Sequence, residues 1–163
     1  MTDERREQAR ELFHAAYVAQ MQGRFEQAVE LYKGSIAASP SAEAYTFLGW
    51  TYHFQGKVEQ AIEECKNAIT IDPAFGNPYN DIGSYLIEQQ KFDEAIPWLE
   101  RAIRSARYDA YHYAWYNLGT AHEAKEMYTL ALQCYSKALE MEPLYTLASE
   151  ACERLRRVLQ DQR

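Results

Sequence analysis

The sequence predicts an all-α protein: four helix-turn-helix units and a closing helix, in one domain over residues 1–163. Three observations carry this. Apolar residues recur at spacings of three and four, as in Tyr45, Leu48, Gly49 and Tyr52, then Ala61, Ile62, Cys65, Ala68 and Ile69. Runs of alternating Val, Ile and Thr are few, and only 7 Gly and 5 Pro interrupt the chain, which favours helix throughout. Small residues also keep a register: Ala16, Gly49, Gly83 and Gly119 are separated by 33, 34 and 36 residues. Ala28, Ala61, Ala95 and Ala131 repeat those intervals, and so do Pro40, Pro73, Arg107 and Pro143. A period of this length marks stacked units that bury their apolar faces against one another.

The first unit covers about residues 9–41. Its first helix is expected from near Asp3 to about Gln22, Gly23 turns the chain, and a second helix runs from about Phe25 to Ala38. Ser39-Pro40-Ser41 ends it. In the second unit, 42–75, Gly56 divides the two helices and Asp72-Pro73 stops the second. The third, 76–111, opens on Asn77-Pro78, which reads as an N-cap followed by proline at the first helical position. Pro97 lies inside the helix beginning near Phe92 and predicts a local kink or a late helix start. The link around Arg107-Tyr108-Asp109 is two residues longer than its counterparts, so a slight change of stacking is expected before the fourth unit, 112–143. Beyond Pro143, Leu144, Leu147, Ala148, Ala151, Leu155, Val158 and Leu159 form one apolar stripe. Residues 144–161 therefore read as a helix capping the last unit, with its charged face outward. The alternative is that this stripe binds a second copy of the chain. Mid-helix Gly49, Gly83 and Gly119 each cost about 1 kcal/mol relative to Ala. That cost makes sense where another helix passes too closely for a side chain.

The landmarks Leu48-Gly49, Tyr52, Ala61, Cys65, Ala68 and Pro73 have counterparts in Ile82-Gly83, Leu86, Ala95, Leu99 and Ala102, and in Leu118-Gly119, Ala131, Tyr135, Ala138 and Pro143. The pattern resembles the tetratricopeptide repeat family over about residues 9–143. Departures are mild: Ala19 is small where a bulky residue is usual, His122 is polar, and Arg107 replaces a closing proline. The resemblance implies a right-handed superhelical solenoid whose first helices line a concave groove. Carried over by position, that groove holds Phe13 and Tyr17 from unit one, and Phe47, Trp50, His53 and Phe54 from unit two. Asn80, Asp81 and Ser84 follow from unit three, and Tyr113, Tyr116 and Asn117 from unit four.

The repeat core does not require Phe13, Tyr17, Phe47, Trp50, Phe54, Tyr113 or Tyr116. Aromatic side chains left facing water mark contact surfaces, and Trp and Tyr are enriched at binding hot spots. The alternative is that the first helix or neighbouring units cover them. Asn77, Asn80, Asp81 and Asn117 form a polar strip between the aromatic zones, and amides suit the backbone of an extended peptide. For Asn77, capping alone is a sufficient explanation. Family members that hold the C-terminal carboxylate of heat-shock chaperones use a clamp of Lys, Arg and Asn. The corresponding places here are Phe13, Tyr17, Phe47, Asn77 and Asp81, with no cation, so that mode is not expected.

Other functions are disfavoured. A net charge of −7 lacks the basic footprint of nucleic-acid binding. No apolar run reaches the roughly 18–20 residues that span a bilayer. The charged start MTDERREQARELF has no signal-peptide core, so the cytoplasm is the expected location. Cys65, Cys134 and Cys152 have no paired spacing and read as reduced core thiols. The four His residues fit no metal or protease motif, and no phosphate loop occurs, so neither a cofactor, a metal nor catalysis is expected. The expected function is a protein-interaction adaptor that takes a peptide or helical segment in an aromatic groove. Self-association as a homodimer, or a role as a small secretion-type chaperone, are the alternatives.

Overall fold

The computed structural model describes residues 3–161. Residues 1, 2, 162 and 163 of the expected domain lie outside the described residues. The described chain is helical: α1 (Asp3–Met21), α2 (Phe25–Ala38), α3 (Ala42–Phe54), α4 (Val58–Ile71), α5 (Asn77–Glu88), α6 (Phe92–Arg104), α7 (Tyr111–Ala124), α8 (Tyr128–Met141) and α9 (Thr146–Asp161). Each helix packs on its neighbours in sequence, which builds a solenoid of antiparallel pairs.

Small residues set how closely the pairs approach. Ala28, Ala61, Ala95 and Ala131 open the second helices and are fully buried. At Gly83, an added Cβ would stand 2.5 Å from Cγ of Leu99, so α5 and α6 approach to a distance that only glycine permits. Within every unit the same turn joins the two helices. The N–H of Arg24, Lys57, Lys91 and Met127 donates to the carbonyl five residues earlier, on Ala19, Tyr52, Leu86 and His122. This is a Schellman closure, and it needs a left-handed residue just before the donor. Units one and two use Gly23 and Gly56 there, while units three and four place Gln90 and Glu126 at φ 60.

The first helices also touch one another across units, α1 with α3, α3 with α5 and α5 with α7, whereas the second helices show no comparable row. First helices drawn together and second helices splayed apart make the face of α1, α3, α5 and α7 the inner one.

Two local expectations are corrected, and a third, at Pro97, is narrowed. Asn77 is not the N-cap of α5; Gly76 holds that place, with Asn77 and Pro78 inside the first turn. Gly76 is fixed from a distance: its N–H donates to the Arg107 carbonyl at 2.9 Å. The Tyr108 ring lies where a Gly76 Cβ would be, 2.4 Å away. No late start occurs around Pro97; α6 begins at Phe92 and runs through the proline. Proline lacks the N–H that would bond to Asp93, and the helix absorbs that loss. In α9, Ala148, Ala151, Cys152 and Leu155 are buried, the last three against Ala131 and Tyr135 of α8. Leu144 is 88% exposed and Leu147 51%, so the front of the expected apolar stripe stays in water. It precedes or opens α9, before the helix has settled onto α8.

Candidate functional site

The inner face carries a continuous row of rings. Phe13 of α1 meets Phe47 of α3 edge-on at 5.3 Å, and Tyr17 meets the same ring at 5.9 Å. Phe47 continues to Trp50 at 5.6 Å, Trp50 to Phe54 at 5.3 Å, and Phe54 stacks on Phe25 of α2. Helical spacing of three and four puts Phe47, Trp50 and Phe54 on one side of α3. Phe13 and Phe47 also pack against the buried core beside Tyr32, so the inner wall and the core share them. Tyr17 and Phe54 face water, 39% and 49% exposed.

A second cluster lies at the far end. Tyr113 is 48% exposed, and both Tyr113 and Tyr116 pack edge-on against Tyr145, at 5.6 and 5.2 Å. Tyr145 stands between α8 and α9, so the end of the solenoid helps to build this wall. His53 is tied down: it stacks on Tyr85 at 4.5 Å and its Nε2 pairs with Glu88 Oε2 at 2.7 Å.

A polar strip runs between the two clusters. Asn117 of α7 donates through Nδ2 to Oδ1 of Asn80 on α5 at 3.0 Å. The Asn80 side chain in turn hydrogen-bonds Asp81. Asn80 is buried, and its carbonyl serves Asn117. The two amides thus brace α5 against α7. Ser84, one turn further along α5, is partly buried.

Asp81 keeps partial exposure as a residue, yet burial around its carboxyl pushes the pKa up to about 7. Among the described residues only the Asn80 hydrogen bond opposes that rise, and no cation contributes. Beside it opens a cleft of about 220 Å³ bounded by Phe47, Trp50, Asn80, Asp81, Tyr108 and Tyr113. Tyr108 is 5% exposed, and its hydroxyl has no hydrogen-bond partner among the described residues. Burial and the nearby Asp81 carboxylate hold that hydroxyl well above the usual tyrosine range. The sequence reading missed Tyr108 and Tyr145 because neither lies on a first helix. The available signal was the longer link that carries Tyr108.

Elsewhere the titratable groups serve the fold. Cys65 and Cys134 are buried, which pushes the Cys65 thiol up and the Cys134 thiol to about 11, so neither is an activated nucleophile. Among the described residues no group of three His, Cys, Asp or Glu is arranged to hold a metal, and no helix is long and apolar enough to cross a membrane.

Three segments match models described as the tetratricopeptide repeat: residues 42–75, 79–107 and 112–145. They coincide with the second, third and fourth units and together cover more than half of the chain. No curated protein sequence matches it. Among solved structures, pilF of Pseudomonas aeruginosa superposes with a TM-score of 0.90 at 21% identity, over 98% of this chain and 72% of that one. YrrB, described as a protein of the same repeat with an unusual peptide-binding site, gives 0.72 at 19% identity, over 89% and 74%. The first such domain of Spaghetti (RPAP3), solved with an HSP90 peptide, gives 0.69 at 24% identity, over 75% and 95%.

Proposed function

Because the chain belongs to the tetratricopeptide repeat family, we propose that it is a non-catalytic adaptor that holds a segment of a partner protein along α1, α3, α5 and α7. The observation that carries this reading is the inner row of aromatic rings, with Tyr17, Phe54 and Tyr113 each more than a third exposed. Exposed aromatic surface in a concave wall is costly in water and is relieved when a partner covers it. Two solved relatives, YrrB and the RPAP3 domain, are described as having or holding a peptide site, which supports a peptide or helical segment as the ligand class. Among the described residues no cation stands beside Asp81, which argues against an acidic C-terminus as that ligand here.

Rings interlocked from Phe13 to Phe54 give a rigid wall, so binding orders little on the protein side. Apolar side chains of the partner settle between the two ring clusters. The braced Asn80–Asn117 pair offers its remaining amide and carbonyl groups to the partner backbone.

The test is capture from lysate by the wild type and by a Trp50→Ala, Tyr116→Ala double variant, with circular dichroism as a check on folding. Loss of the captured proteins supports the groove. An unchanged set with both proteins folded overturns it.

A second reading has its own support. Met141, Leu144 and Leu147 are 52%, 88% and 51% exposed where α8 meets α9, an apolar corner suited to a second copy of the chain. Sedimentation over a range of concentrations decides: a concentration-independent monomer removes self-association.

A further inference from the structure

On the premise that the groove takes a partner segment, we propose that the cleft beside Asp81 receives one basic side chain, lysine or arginine, of that segment. Three features of the cleft fit a cationic side chain. Asp81 places its carboxyl there with no cation beside it among the described residues. Trp50, Phe47 and Tyr113 wall the same space with aromatic rings, whose faces attract a cation. Tyr108 also lines the cleft. The size also fits: about 220 Å³ is below the roughly 300–1,000 Å³ of drug-sized pockets and has room for one side chain.

Charge complementarity selects the occupant. The chain carries a net charge of −7, and its nearest basic side chain in sequence to the cleft, Arg107, is already committed to Glu43 and Asp72 at 2.8 and 2.7 Å. Above about pH 7 a cation from outside therefore meets an unpaired carboxylate in a partly dry, aromatic setting. A carboxylate or a phosphate would meet repulsion there.

The arrangement also makes binding depend on pH. In the empty cleft Asp81 holds its proton up to about 7, and a bound cation favours the charged form. The groups that face it are Cys65 from α4, Tyr85 from α5 itself and Tyr108 from the link, all pushed upward by burial and neutral at that pH. From α3 it faces Thr46, Phe47 and Trp50, and from α7 Tyr113, none of them charged. Affinity for a basic segment thus rises as pH increases toward about 7 and levels above it, and a neutral segment shows no such rise.

A random short-peptide display library is panned against the full wild-type chain, Asp81→Asn and Trp50→Ala. Wild type is expected to select peptides with a basic residue among apolar ones. Asp81→Asn is expected to lose the basic preference but keep the apolar one. A synthetic peptide from that selection should bind Asp81→Asn about tenfold more weakly. Its form with Met in place of the basic residue should bind both proteins alike. Selection of peptides without a basic residue, or the same basic preference in Asp81→Asn, overturns the cation assignment while the groove stands, provided Trp50→Ala loses binding. Selection unchanged in both variants, or none with wild type, overturns the groove reading as well. Self-association that Asp81→Asn abolishes overturns the partner assignment in favour of a basic side chain from a second copy.

Discussion

Replacing Asp81 by Asn removes the charge and keeps the shape, and the structure sets the size and the sign of the result. Burial lifts the Asp81 carboxyl from 3.8 to about 7. At about 1.4 kcal/mol per unit, the full rise corresponds to on the order of 4 kcal/mol. Partial contact with water screens that to about 2 kcal/mol. The folded pKa lies above the unfolded one, so between them the folded chain holds a proton that the unfolded chain has released. Stability therefore falls as pH rises from about 4 to about 7 and is level above that. The amide in the variant has no proton to release. Urea unfolding of both proteins across this range reads the difference directly. Asp81→Asn should be the more stable protein near pH 8, with a gap about 2 kcal/mol larger than near pH 4. Groups common to both proteins cancel in that gap. A gap that does not change with pH would refute a buried carboxyl. A wild type more stable than the variant near pH 8 would show that the chain supplies a cation of its own. The expected gain fits stability given up at a binding site.

Gly83→Leu should cost about 1–3 kcal/mol, because even a Cβ there meets Leu99 at 2.5 Å; an unchanged melting temperature would contradict the α5–α6 packing. Gln90→Gly should gain about 0.5 kcal/mol in thermal melting, since relief of a left-handed residue at φ 60 outweighs glycine's added freedom when unfolded. A loss of stability there would exclude that balance. Leu155→Ala should cost about 2–5 kcal/mol in urea unfolding, because this 1% exposed side chain anchors α9 on Tyr135 and Ala131; a loss below about 1 kcal/mol would mean that α9 caps little.

The helix pairs were legible because their rule is local and repeated. Ala61 and Gly83 are small for the same reason in every unit, the distance between two helix axes, and that distance writes itself into the sequence at fixed intervals. The third and fourth turns were less visible: Gln90 and Glu126 occupy the left-handed place where the first two units use glycine. Asn77 was misassigned because an Asn-Pro pair is a local signal, while the cap is decided by Arg107 and Tyr108, about thirty residues away. Leu144 and Leu147 share a helical stripe with Leu155, but periodicity does not say where a helix meets its neighbour. In the groove, the resemblance to the repeat family pointed to Trp50, Phe54 and Tyr113 by their places in the first helices. It gave no sign that Asn80 and Asn117 bond each other, or that Tyr108 reaches in from a link, since both depend on contacts between units.

The most direct measurement is amide chemical-shift mapping of the isotope-labelled chain with a peptide recovered by display. Binding in the groove should shift Trp50, Asn80, Asp81, Tyr113 and Asn117 together and leave the outer faces of α4 and α6 unmoved. Shifts confined to α2, α4, α6 and α8, or to the corner at Leu144 and Leu147, would contradict recognition by the inner face.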